Sequence, residues 1–190
     1  MTSPPPAIQR LPGEAGIWVL VLGDTCVFGL FFGVFTYFQG LNPELYSQSQ
    51  ATLNTYYGAV NTLLLLLSSW LVVVAVDGLR QGHNIRAAKF LISAFLCGAG
   101  FCVIKVIEYS EKINGGIGIT TNEFFMYYYV LTGLHFLHVL IGMAVLIYLA
   151  GKTRRELSDK DIQVFESGAI FWHMVDLLWI VIFPLLYLVN

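Results

Sequence analysis

Charge is what this sequence has least of: Asp, Glu, Lys and Arg make up 12% of its 190 residues, against 57% hydrophobic. One water-soluble core cannot hide that much apolar surface, so the composition excludes an ordinary soluble domain and points to an integral membrane protein. The ten Lys and Arg form no basic tract, and no nucleic-acid partner is expected. Cysteine is also scarce. Cys26, Cys97 and Cys102 all fall in apolar stretches, with no Cys-x-x-Cys or Cys/His spacing, so neither a disulfide nor a zinc site is expected. The proline-rich head, Met1 to Pro12, is followed by an apolar run without a small-residue cleavage site, so no signal peptide is read there. Internal repeats, low-complexity tracts and a separate soluble domain are missing too. Short alternating segments of the kind a transmembrane barrel needs are absent.

Long apolar runs are what remains. Crossing about 30 Å of hydrocarbon takes roughly 20 helical residues, and five segments approach that length: 15–38, 56–77, 87–109, 124–150 and 164–189. The predicted fold is a single all-α membrane domain over 1–190, a bundle of five transmembrane helices. Thr120-Thr121-Asn122-Glu123 and Ser158-Asp159-Lys160-Asp161 carry helix-start chemistry ahead of the fourth and fifth spans. Asn114-Gly115-Gly116-Ile117-Gly118 breaks the chain after the third. Eight of the ten cations (Arg10, Arg80, Arg86, Lys89, Lys152, Arg154, Arg155 and Lys160) fall on one side, against Lys112 on the other. The positive-inside rule then predicts a cytoplasmic N-terminus and an external Asn190.

Polar groups inside these runs are costly in hydrocarbon and need partners. The charge-free stretch between Lys89 and Lys105 holds 15 residues, about 22 Å of helix. The third span must therefore carry Lys105, and Glu108 one turn on, toward the outer interface. The pair reads either as interfacial, with Lys105 snorkelling outward, or as an embedded functional carboxylate. His135, His138 and Gly142 form one stripe of the fourth span, with Gly142 as a point of close helix approach. Glu166, His173 and Asp176 form one face of the fifth. Both stripes reach mid-membrane, about 15 to 20 Å in, so His173 and Asp176 could clasp each other or the facing histidines. Such groups read as register-fixing clasps, as proton-handling groups, or as axial ligands of a b-type haem built on His173 with His135 or His138. Asp24, two turns into the first span, reads as a clasp or a protonation site. A proton-coupled carrier using Asp24, Lys105 and Glu108 is a further alternative, disfavoured by unbroken helices. Asn61, Thr62, Ser68 and Ser69 form a packing stripe on the second span. Tyr127, Tyr128, Tyr129, Trp70 and Tyr187 read as interfacial or packing residues.

Taken in order, Asn61-Thr62 with Ser68-Ser69, Glu108-Tyr109, Thr132-Gly133 with His135, His138 and Gly142, Phe165-Glu166, and Trp172-His173 with Val175-Asp176 and Trp179 resemble subunit III of the haem-copper oxidases. The likeness covers all five spans and is to a short form lacking two further N-terminal helices. Leu11-Pro12-Gly13-Glu14, Gly16-Ile17-Trp18 and Gly23-Asp24 are most similar to the E-type accessory protein of bacterial nitric oxide reductases. Asp24 where oxidase members usually have Glu, and Lys105 where many have Gln, point the same way. The resemblance implies a non-catalytic subunit of the bacterial cytoplasmic membrane that packs against a haem-copper catalytic subunit. It further implies support for that subunit's assembly, durability and proton uptake. Haem and copper then belong to the partner, this chain binding no cofactor beyond membrane phospholipid. Glu108 matches the family's embedded carboxylate, Glu166, His173 and Asp176 its last-helix polar set, and His135 and His138 the preceding one.

Overall fold

A computed structural model describes residues 11–155 and 157–189. Arg10 and Asn190, on which part of the orientation argument rests, lie outside the described residues. Six helices follow in order: α1 Ala15–Leu41, α2 Pro43–Gln50, α3 Thr55–Arg80, α4 Asn84–Asn114, α5 Glu123–Lys152 and α6 Asp159–Tyr187. All but α2 are long and apolar enough to cross a membrane. No strand occurs among the described residues.

Local chemistry sets the helix ends. Asn54 and Asn122 accept the backbone N–H groups of Tyr56 and Phe125 at the starts of α3 and α5. Ser158 and Asp161 form a reciprocal capping box at the start of α6. At the far ends of α3 and α4 the chain turns through Gly82 and Gly116, at φ +79° and +78°. There His83 N bonds Gly78 O and Ile117 N bonds Lys112 O, which satisfies the last carbonyls of each helix. The short α2 had no counterpart among the predicted segments. Proline at its first position starts it, and Tyr46, fully buried, fixes it against Phe35 of α1 and Phe124 of α5.

α3 packs most extensively on α4 and then on α6, and α5 packs on α4 and α6. The apolar core is aromatic-rich, with Phe101, Tyr128, Phe165, Trp172 and Trp179 essentially out of reach of solvent. Gly142 does mark a close approach: a Cβ there would stand 2.5 Å from the Trp172 ring. α1 touches α6, α2 and α5 only thinly. Its N-terminal lead-in is nonetheless latched to α6, where Gly13 N donates to Glu166 Oε2 at 2.9 Å and Glu14 N to Ser167 Oγ at 3.0 Å. Gly13 sits at φ +75°, with Ile170 and Ser167 within 3.1 Å of where a Cβ would be, so this turn requires glycine. The antiparallel order gathers the α3–α4 and α5–α6 connections and the start of α1 at one basic end.

Candidate functional site

The polar groups fall into tiers along the bundle. Helix rise places Asp24 about 14 Å from the basic end, His138 and His173 about 21 Å, His135 and Asp176 about 26 Å, and Lys105 and Glu108 about 32 to 36 Å.

The deepest-buried tier is the one farthest from the basic end. Lys105 is 0% and Glu108 1% exposed, and Lys105 Nζ donates to Glu108 Oε2 at 2.9 Å. The same ammonium reaches the Tyr187 hydroxyl at 3.0 Å and the Tyr128 hydroxyl at 3.4 Å, while Tyr187 donates to Glu108 Oε1 at 2.6 Å. The rings of Tyr109, Tyr128, Trp179 and Tyr187 surround it, centroids 5.0 to 5.6 Å away. Tyr109 in turn donates to Thr132 Oγ1 at 2.6 Å, and Thr132 to the Tyr128 carbonyl. A buried ion pair survives where both ions are hydrogen-bonded on their free sides, as here. The snorkelling reading of Lys105 is therefore corrected: the side chain is fully buried, because Glu108, Tyr128 and Tyr187 bond its ammonium inside the bundle. Tyr128 and Tyr187, read from the sequence as packing residues, are members of this site. Their spacing carried no signal, since they lie on α5 and α6 while Lys105 and Glu108 lie on α4.

The middle tier divides into two separate joints. Between α1 and α5, Asp24 Oδ2 stands 3.4 Å from His138 Nε2. His138 Nδ1 donates to the Leu134 carbonyl at 2.8 Å. That bond orients the ring so that Nε2 faces the carboxyl group of α1. Both side chains remain partly uncovered, 29% for Asp24 and 17% for His138. Between α3 and α6, Ser69 Oγ and His173 Nδ1 share a hydrogen bond of 2.6 Å. Directly beside it Trp172 Nε1 donates to Ser68 Oγ at 3.0 Å and Ser68 to the Ala94 carbonyl at 2.9 Å; about two turns on, Trp179 Nε1 donates to Thr62 Oγ1 at 3.0 Å. The packing stripe of α3 thus serves α6 directly.

These partners replace the clasp anticipated between the last two helices. His173 bonds Ser69 rather than Asp176, because its Nδ1 faces α3, which lies alongside. Asp176 is 5% exposed; the Ser69 hydroxyl interacts with its carboxyl group, and its Oδ1 has no hydrogen-bond partner. His135, fully buried, has neither ring nitrogen bonded and lies between Trp179 and Phe101, with centroids 5.2 and 5.6 Å away. Asn61 is likewise buried without a partner for its amide. Glu166 stands apart from the other α6 groups, at the basic end, where it meets Arg80 at 2.6 Å and the Gly13 amide. His173 bonds Ser69 of α3, His138 faces Asp24 of α1, and His135 lies between Trp179 and Phe101, so these rings do not converge on one space as a pair of axial haem ligands would. Among the described residues no set of three His, Cys, Asp or Glu side chains is grouped to hold a metal ion.

Fold and site together define an all-helical, multi-pass membrane protein, several of whose embedded polar side chains bond from one helix to another. The chain belongs to the cytochrome c oxidase subunit III family, whose profile matches residues 14–190. It is 30% identical to the cytochrome bo(3) ubiquinol oxidase subunit 3 of Pseudomonas putida, over 92% of this chain and 84% of that one. With the cytochrome c oxidase subunit 3 of Thermostichus vulcanus the identity is 29%, over 92% and 86%. It is 27% identical to the heme-copper oxidase subunit I+III of Aeropyrum pernix, where 93% of this chain matches but spans only 22% of that longer protein.

Proposed function

We propose that this chain is a non-catalytic subunit of a haem-copper respiratory complex in the bacterial cytoplasmic membrane, of the cytochrome c oxidase or nitric oxide reductase type. In this reading it supports the assembly and stability of the catalytic subunit, which holds the haem and copper while this chain holds no redox centre. Its basic end and N-terminus face the cytoplasm. The observation that carries the reading is the Asp24–His138 pair on the thinly packed α1. A partly uncovered acidic group within an apolar membrane-crossing helix is costly in hydrocarbon, and a neighbouring protein surface removes that cost. The I+III name of the Aeropyrum relative favours a catalytic subunit as that neighbour. The nitric oxide reductase type is favoured by the resemblance of Leu11-Pro12-Gly13-Glu14 and Gly23-Asp24, of which Gly13 and Glu14 bond α6.

A contribution to proton uptake is favoured by a cleft of about 310 Å³ at the basic end, lined by Asp77, Arg80, Glu166 and His173 among others. It leads from the surface pair Arg80–Glu166 toward the mid-membrane Ser69–His173 bond.

Purification of the parent complex in mild detergent is the test. The chain is expected at near one copy per haem-copper subunit, and its recovery free of any such subunit defeats the proposal. A reduced-minus-oxidised haem band from the isolated chain would support the haem anchor instead, and ion or solute flux in proteoliposomes holding only this chain would support the carrier.

A further inference from the structure

Ser68 and Ser69 are neighbours on α3 and both reach α6, but they join different kinds of group. Ser68 accepts from the Trp172 indole and donates to the Ala94 carbonyl, so its hydroxyl is used in both directions between groups that do not ionise. Ser69 stands between two that do. Its Oγ shares the 2.6 Å hydrogen bond with His173 Nδ1, and its hydroxyl also interacts with the Asp176 carboxyl group. Fixing helix register needs only the Ser68 pattern. The second joint adds an ionisable group on each side of one hydroxyl and leaves Asp176 Oδ1 buried without a hydrogen-bond partner, which is destabilising in itself.

The two ends of this set differ in access. His173 is half-buried and lines the cleft of about 310 Å³ that also holds Arg80 and Glu166. Asp176 is 5% exposed, and helix rise sets it about 5 Å further from the basic end. A serine hydroxyl both donates and accepts, so it can take a proton from one neighbour while giving its own to another. An imidazole ring can likewise gain a proton on one nitrogen and release one from the other. The other titratable groups near this stretch of α6 have different surroundings. Asp77 accepts from Gln81 at 2.7 Å, and Arg80 pairs with Glu166. His138, stacked on Phe171, is held by the Leu134 carbonyl, and Lys105, near the Trp179 ring, by Glu108. His135 lies against that same ring with neither nitrogen bonded.

We propose, resting on the proton-uptake reading of the same cleft, that His173, Ser69 and Asp176 form a proton relay whose acceptor is Asp176. In the starting state His173 Nδ1–H donates to Ser69 Oγ, and the Ser69 O–H donates to the Asp176 carboxylate. A proton from solvent in the cleft adds to His173 Nε2, the Nδ1 proton moves to Ser69 Oγ, and the Ser69 proton moves to Asp176. His173 ends neutral with its proton on Nε2, Ser69 ends as a hydroxyl, and Asp176 ends as a carboxylic acid. One proton has entered and one is held. The relay thus has a signature that a structural clasp lacks: His173 changes tautomer, without becoming charged, as Asp176 is protonated.

Nitrogen-15 NMR of the full chain with labelled histidine, combined with infrared difference spectroscopy of the carboxyl carbonyl stretch, tests this over a pH series. On acidification a carboxylic acid band absent from Asp176→Asn is expected to appear while His173 Nδ1 loses its proton and Nε2 gains one, with a single midpoint. Ser69→Ala is expected to separate the two changes, and Ser69→Thr, which keeps the hydroxyl, to restore their coupling. A His173 ring that keeps one tautomer over the whole series overturns the relay, and so does coupling that survives in Ser69→Ala. Proton uptake by the parent complex, followed with a pH-indicator dye, separates this result from the uptake reading. Slower uptake in Ser69→Ala and Asp176→Asn, recovered in Ser69→Thr, supports both. Coupling in the chain with unchanged uptake in every variant supports the relay and defeats the uptake reading. A circular dichroism spectrum matching wild type shows that the variants are folded.

Discussion

The two embedded polar pairs of this bundle are built in opposite ways. Lys105–Glu108 is closed off within the chain, with 0% and 1% exposure, two tyrosine hydroxyls bonded and four rings around the ammonium. Asp24–His138 has one contact of 3.4 Å, leaves both groups partly open, and joins the bundle to its most thinly packed helix. Packing follows the same gradient: 6% of the most apolar window of α1 is buried in the chain, against 56% for α6. The difference teaches that the first pair is finished by this chain alone, whereas the second stays open on the face where the proposed neighbour would sit.

Breaking the closed pair should have the largest effect. Lys105→Met leaves Glu108 buried without its counter-ion and should cost about 3 to 5 kcal/mol, read as loss of thermal stability in detergent. Lys105→Met/Glu108→Leu should recover much of that loss; if the double variant is no better than the single, the pairing is not what stabilises this tier. Gly142→Ala should come next, at about 1 to 3 kcal/mol, because its Cβ would meet the Trp172 ring at 2.5 Å; the same assay reads it. Ser69→Ala should cost about 1 kcal/mol by removing the bond to His173, and more than Asp176→Asn, whose Oδ1 bonds nothing. The reverse order would restore Asp176 as the holder of His173. Asp24→Leu should be the mildest for the isolated chain, within about 1 kcal/mol. Its effect should appear in co-purification, with the haem-copper subunit recovered in clearly lower proportion. A loss of isolated-chain stability as large as that of Lys105→Met would erase the contrast between the two pairs.

Much of this was readable along single helices. The five apolar runs, the Ser158–Asp161 cap, the glycine break after α4 and the close approach at Gly142 are all periodic or local signals. Residues of the α3 stripe were recognised as packing groups for the same reason. What stayed hidden were partners across helices. Whether His173 meets Asp176 or Ser69, and His138 meets Asp24 or α6, depends on which helices lie side by side and how each is rotated about its axis. Lys105 shows the same limit: depth along α4 could be counted, but the direction of its side chain depended on aromatics from two other helices.

The sequence by itself determined that this is a five-span helical membrane protein and supported its family, because hydropathy, helix length and motif spacing are properties of the chain read in one dimension. Only the tertiary structure decided that Lys105 and Glu108 form a sealed cluster, that His135 is packed between rings, and that Ser69 stands between His173 and Asp176. Those outcomes rest on short-range hydrogen bonding and packing between segments far apart in sequence, which act only once the helices are in place.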